Sequence, residues 1–235
     1  VTTSSPVDER KEIDRERRKR LSQELANLFD KDRKALRADA PGVLSQWRKG
    51  LSHPPHTTPV LAMQVSNVLS SPYEREGSWD VRTWETAIHY GLGLFAVHQQ
   101  SVSVPVHDFT AAGQRSVSVG AACRALAAAQ VDPARREFPA STPQFETVNN
   151  GLVRRLEAAM SSESTLELVG HVRGIIPLLK STDRVIRIDY VQLVADLAAW
   201  STPARRGPTA LSWGRHFYAP FRSDTSSPEP ANDKE

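Results

Sequence analysis

Three histidines, His89, His98 and His107, follow one another at intervals of nine residues. The first two lie in an otherwise apolar stretch, "AIHYGLGLFAVHQQS" (87–101). Imidazoles that recur in this way could ligate a metal or relay protons. The spacing argues against both. Nine steps of about 100° bring His89 and His98 to opposite sides of a helix. A chelating pair on a helix needs i, i+4 spacing, as in HExxH, and that motif is absent. His107 falls in the following loop, from which it reaches one of the others more easily than both. The expectation is two histidines at the boundary of a helix plus one in a loop, with no metal and no cofactor.

Other catalytic signatures are missing. There is no GxSxG, no GxxxxGK[ST] and no strand-anchored GxGxxG. Ser, His and Asp show no spacing of a triad, and pieces such as "DPARRE" and "STDR" lack the paired carboxylates of a nuclease. No catalytic residue is expected, and the chain does not read as an enzyme. The single cysteine, Cys123, excludes an internal disulfide and suits a reducing, cytoplasmic setting. It sits in the Ala-rich "SVGAACRALAAAQ", which is too apolar to be the base-reading helix of a helix-turn-helix and is expected in the core, with Cys123 as a buried thiol.

What remains is arginine. The chain has 23 Arg against 7 Lys, and guanidinium is the side-chain group best suited to phosphate. Arg37, Arg82, Arg115, Arg124, Arg154, Arg155, Arg173, Arg205, Arg206 and Arg215 are the notable members. Arg154 lies opposite the stripe Phe145, Val148, Leu152, Leu156, and so belongs to a polar face; Arg155 sits at the edge of that stripe. "TPARRGP" (202–208) reads as a turn between helices that presents two arginines to a bidentate partner. Each of these alone reads as an ordinary solvated or paired arginine. Together they suit sequence-independent binding of a nucleic-acid backbone. The formal charge of +3 is unevenly spread: the last thirteen residues, 223–235, carry −3, so the remainder stands near +6.

The elements that must position these groups are helical. Val81, Trp84, Ile88, Leu92, Phe95 and Gln99 share one face of a helix over 79–101, in which Gly91 and Gly93 allow close approach of a neighbour. Leu21, Leu25, Leu28, Phe29, Ala35 and Leu36 make a stripe that should end at "DAPG" (39–42), where Pro41 and Gly42 break it. Pro-rich "HPPHTTP" (53–59) reads as a loop before a short helix over 60–70. Further helices are expected at 117–130, 143–160, 163–180, 189–200 and 208–221, with Pro177 kinking the end of the third of these. "IRID" (186–189) is too short to carry a sheet. The fold class is all-α, as two small helical bundles joined by a loop, over residues 21–108 and 109–222. Residues 1–20, dense in mixed charge, read as frayed helix or disordered arm, and 223–235 as a disordered acidic tail. No apolar run approaches membrane-spanning length, so no membrane partner is expected.

Residues 25–221 resemble a known family, the CasB family, the small subunit of the type I-E CRISPR surveillance complex Cascade. The resemblance is carried in order by the Trp-led helix running into "LFAVHQQ" (94–100) and by "SVGAACRAL" (118–126), similar to the family's Ser-Leu-Gly-x-Ala with Val119 for the Leu. "LVRRLEAAMSSESTLELVGHVRGIIPLLK" (152–180), "IDYVQLVADLAAW" (188–200) and "WGRHFY" (213–218) follow, and "KALRADAPG" (34–42) resembles the end of the family's first helix. The N-terminal extension, the loop at 133–143 and the tail fall outside the pattern. The resemblance implies a non-catalytic subunit, two copies of which lie head to tail between the large subunit and the backbone subunits that hold the guide RNA. Their basic surface would support the guide–target duplex and the displaced DNA strand, stabilising the R-loop, with the ten arginines above as the contacts. The rivals are a helical scaffold that binds only protein and an enzyme hidden in a helical bundle.

Overall fold

The structure, a computed structural model, describes residues 6–69, 79–109, 116–130 and 150–218. Arg115, the residues Phe145 and Val148 and the acidic tail lie outside the described residues. The described residues hold nine helices and no strand, an all-α fold. In order these are α1 (Pro6–Ala26), α2 (Ala40–Gly50), α3 (Pro59–Leu69), α4 (Trp79–Gln99), α5 (Val119–Gln130), α6 (Asn150–Met160), α7 (Thr165–Leu179), α8 (Tyr190–Trp200) and α9 (Pro203–Tyr218).

The central element is α4. It packs against α2, α3, α7 and α8, so its C-terminal half is enclosed on every side rather than on one stripe. The two glycines of this helix do what was expected of them. A Cβ on Gly93 would stand 2.9 Å from the Leu51 side chain, and one on Gly91 would collide with Val194 of α8. The expected stripe of α4 is buried from Val81 to Gln99, and that of α7, Leu168, Val172, Ile175, Ile176 and Leu179, is buried as well. Pro177 is exposed near the end of α7, which stops two residues later at Leu179. Caps set the starts of α7 and α8. Ser164 Oγ accepts from the Glu167 amide at 3.1 Å and Asp189 Oδ1 from the Gln192 amide at 3.0 Å, each satisfying an orphan N–H of a first turn.

The N-terminal region decides one expectation and departs from two others. First, of the two readings of residues 1–20, frayed helix or disordered arm, residues 6–20 follow the helical one and form the greater part of α1. The inner face of this helix is built partly from charge. Arg17 is 2% exposed, donating to Asp80 of α4 at 2.8 Å and to Asp14 at 3.3 Å, with its guanidinium 5.0 Å from the Trp84 ring centroid. Second, the helix begun there does not run to Asp39. It ends at Ala26, because Asp30 organises a turn: its carboxylate accepts from the Lys34 amide at 2.7 Å and its own amide donates to Ala35 O at 2.9 Å. Phe29 and Leu36 then meet across an isolated antiparallel bridge. Third, Pro41 and Gly42 open a helix instead of closing one. They occupy the first turn of α2, where proline's missing N–H costs no hydrogen bond.

A further departure is at the far end. "TPARRGP" is not a turn: α9 starts at Pro203, which puts Arg205 and Arg206 on its first turns and leaves only Ser201 and Thr202 between α8 and α9. α5 lies against α9, with Val119, Gly120, Ala122, Cys123, Leu126 and Ala127 buried, as its composition required. Burial pushes the Cys123 thiol up to about 12.

Candidate nucleic-acid interface

The histidines are more deeply placed than boundary positions. His89, His98 and His107 are all buried, because helices surround α4 and the 102–109 segment lies against the start of α8. His89 Nε2 faces two main-chain oxygens, Gly50 at 3.0 Å and His53 at 3.1 Å, and donates to them at the end of α2. His98 Nδ1 and the Tyr190 hydroxyl share a hydrogen bond of 2.9 Å. Tyr190's amide in turn donates to His107 Nδ1 at 3.1 Å. Burial, with Lys180 nearby, pushes His98 down to about 3, and burial also lowers His89 and His107. Neutral imidazoles wired to main chain and tyrosine are packing elements. Among the described residues no three His, Cys, Asp or Glu side chains are placed to hold a metal ion.

The arginines separate into two kinds once their partners are known. Arg37 donates to both carboxylate oxygens of Asp39, at 3.2 and 3.1 Å, and its fork is spent on closing the 27–39 loop. Arg206 is half-buried and its Nε donates at 2.9 Å to Trp200 O, an otherwise open carbonyl at the end of α8. Arg124 is half-buried on α5. Arg155 is exposed, donates to Gly151 O at 3.2 Å and lies along α7, where its side chain passes 3.6 Å from the position a Cβ on Gly174 would take. By contrast Arg82 on α4, Arg154 on α6, Arg173 on α7, and Arg205 and Arg215 on α9 are exposed and have no ion-pair partner among the described residues. Arg154 thus has the outward position that the helical period assigned to it. α6 packs on α7 and α9 packs on α5, α6 and α8, so Arg154, Arg173, Arg205 and Arg215 belong to one connected group of helices.

Three arginines of α1 that periodicity did not single out, Arg10, Arg17 and Arg18, tie this helix to α4 and α8, with Arg17 buried. Arg10 donates to Asp80 Oδ1 at 3.1 Å. Arg18 starts a relay across three helices: it donates at 2.9 Å to Gln192 Oε1, Gln192 Nε2 donates at 2.7 Å to Asp196 Oδ1, and Trp213 Nε1 donates at 2.7 Å to Asp196 Oδ2. Burial raises the Asp196 carboxyl to about 6, against the lowering effect of those two hydrogen bonds and of Arg18. The sequence held one usable signal for these residues. The acids of α1 stand three and four positions from its bases, as Asp14 does from Arg17 and Glu16 from Arg20, the spacing of a paired helix face.

The sequence profile described as CRISPR-associated protein Cse2 (CRISPR_cse2) matches residues 43–218. Two solved structures are similar in fold. CasB from Thermobifida fusca is 21% identical with a TM-score of 0.56, over 89% of this chain and 97% of that one. CasB from Thermus thermophilus is 17% identical with a TM-score of 0.53, over 86% and 97%. No curated protein matches this chain. No described helix is long and apolar enough to cross a membrane.

Proposed function

We propose that this chain, which belongs to the family of CRISPR-associated protein Cse2 and is thereby a structural subunit of Cascade, holds nucleic-acid backbone within that complex without catalysing a reaction. The observation that carries the reading is the set of exposed arginines without ion-pair partners among the described residues: Arg82, Arg154, Arg173, Arg205 and Arg215. Guanidinium forks of this kind take phosphate oxygens in pairs. Spread over four helices with no base-reading element beside them, they suit phosphate contact in any sequence. The partners in this reading are the large subunit and the backbone subunits, a second copy of the chain, the guide RNA, and the target and displaced DNA strands.

Exchange of a DNA duplex for a guide–target heteroduplex is close to balanced in free energy. A few backbone contacts on the displaced strand or the heteroduplex are then enough to favour the open R-loop. The division into bundles over 21–108 and 109–222 goes with this reading, with α4 against α7 and α8 as the seam between them.

A protein-only scaffold is the second reading, and it draws on Arg37 and Arg206, whose donors are already used within the chain. Charge reversal of Arg154, Arg173 and Arg215 to Glu separates the two. The backbone-binding reading expects weaker gel shifts and a less stable R-loop in the reconstituted complex, with co-purification of the other subunits retained. Unchanged R-loop stability and unchanged shifts would leave only the scaffold.

A further inference from the structure

The α1, α4, α8 and α9 helices enclose a cleft of about 170 Å³ that none of the packing contacts fills. At roughly 30 Å³ per water this is the room of about five or six water molecules, enough for one phosphate group and part of its sugar. Its polar lining includes Arg10 and Arg18 from α1, Thr83 from α4, and Thr202 and Arg205 at the start of α9. Three acids also border it, and each is already engaged. Asp80 takes Arg10 and Arg17, Asp14 takes Arg17, and Asp196 takes Gln192 and Trp213. Arg18 is held by Gln192. The lining thus holds three guanidinium groups, Arg10, Arg18 and Arg205, against three carboxylates, with Arg17 buried behind Asp14 and Asp80, and the lining arginine whose head group has no partner among the described residues is Arg205. The hydroxyls of Thr83 and Thr202 likewise make no hydrogen bond to another described residue, so the cleft presents three donors that await an acceptor.

We infer that this cleft seats one phosphodiester of a single-stranded nucleic acid, with Arg205 and Arg10 on its oxygens and the Thr83 and Thr202 hydroxyls completing the site. Single-strand backbone is the occupant that fits: the notch admits one phosphate rather than the paired rails of a duplex, and no stacking face is left on Trp84, which Arg17 covers at 5.0 Å. The inference rests on the backbone-binding reading and goes beyond it. α1 supplies one wall, and α1 lies wholly before residue 43, where the match to the family profile begins. One wall of the site thus comes from outside the matched residues, and the relay from Arg18 through Gln192 and Asp196 to Trp213 links α1 to α9 across it.

The test is binding of fluorescein-labelled oligothymidylate to the full-length protein over a range of salt concentrations. Two double variants are compared with the parent: Arg10→Ala with Arg205→Ala in the cleft, and Arg154→Ala with Arg173→Ala outside it. Thermal unfolding of each variant checks that it is folded, and the single Arg205→Gln variant, altered only at an exposed position, stands in if the cleft double is not. The expected result is a loss of about tenfold in affinity for the cleft variant and a log–log salt slope shallower by about 0.7, the value for one single-strand phosphate contact. Unchanged affinity and slope in the cleft variant would overturn the site. If the Arg154/Arg173 variant loses affinity in that case, backbone binding stands and only the cleft falls; if neither variant changes, both fall.

Discussion

Gly120 of α5 faces the main-chain carbonyl of Trp213 in α9 so closely that a Cβ on residue 120 would overlap that carbonyl. The obstacle is backbone, not the tip of a side chain, so the two helices would have to part to accept even alanine. Overpacking of this kind costs about 1–3 kcal/mol. Gly120→Ala is therefore expected to lower the midpoint of denaturant unfolding. Gly170 is the matched control: it is exposed on α7 and has no atom within 4 Å of its would-be Cβ. Gly170→Ala is expected to stabilise by roughly 0.5–1 kcal/mol, since alanine is the better helix former.

His98 should contribute to acid sensitivity, alongside the buried His89 and His107. The unfolded His98 imidazole titrates near 6.5 and the folded one near 3, so the unfolded chain binds the extra proton throughout that window. Stability from this group is complete above pH 6.5 and is lost as the pH falls towards 3, by roughly 4–5 kcal/mol if fully realised. His98→Asn keeps a hydrogen-bonding group near the Nδ1 position for the Tyr190 hydroxyl and removes this titration. The variant is expected to be weaker at neutral pH, through lost packing, yet to lose less stability between pH 6.5 and 4. Urea denaturation at a series of pH values reads both effects.

Asp196 should act in the opposite sense. Its carboxyl is raised from 3.8 to about 6, so between those values the folded chain holds the extra proton, and stability falls as pH rises. Above pH 6 the ionised group remains as a net cost of at most about 3 kcal/mol relative to its protonated form. Asp196→Asn removes this contribution, and its stability relative to the parent is expected to improve between pH 4 and 7. A difference that stays constant over that range would mean that the carboxylate is as well solvated as in the unfolded chain.

The contrast between these regions shows what periodicity can and cannot carry. In α4 and α7 most of the buried residues are apolar and include a stripe that recurs at 3.6, so these elements and that face were legible, and α8 was legible as an element. The inner face of α1 was not, because it is closed by Arg17 against Asp80, residues 63 positions apart. No local pattern reveals that a charge will be buried when its partner comes from another helix. The 27–39 loop misled for the reverse reason: Leu28, Phe29 and Leu36 have helical spacing, but the Asp30 carboxylate satisfies the main chain of a turn instead. Arginine roles have the same limit. The type of residue was visible throughout, whereas its availability depends on whether a carbonyl such as Trp200 O lies within reach.

Arg205 and Arg206 put that limit to a direct test, since the sequence offers them as an equivalent pair. Arg206 is half-buried and its Nε holds the last carbonyl of α8 at 2.9 Å, whereas Arg205 is exposed at the mouth of the α1–α9 cleft and holds no carboxylate among the described residues. Arg206→Ala removes a charge-assisted hydrogen bond and the packing of its stem, and should destabilise by about 1–3 kcal/mol. Its effect on nucleic-acid affinity should be small in conditions where the variant is folded. Arg205→Ala should do the reverse: unfolding unchanged within about 0.5 kcal/mol, as for an exposed surface position, and weaker binding of single-stranded DNA. Thermal denaturation and a gel shift on both single variants decide the matter. If both lose stability, or both lose affinity, the division of labour drawn from the Trp200 contact is wrong.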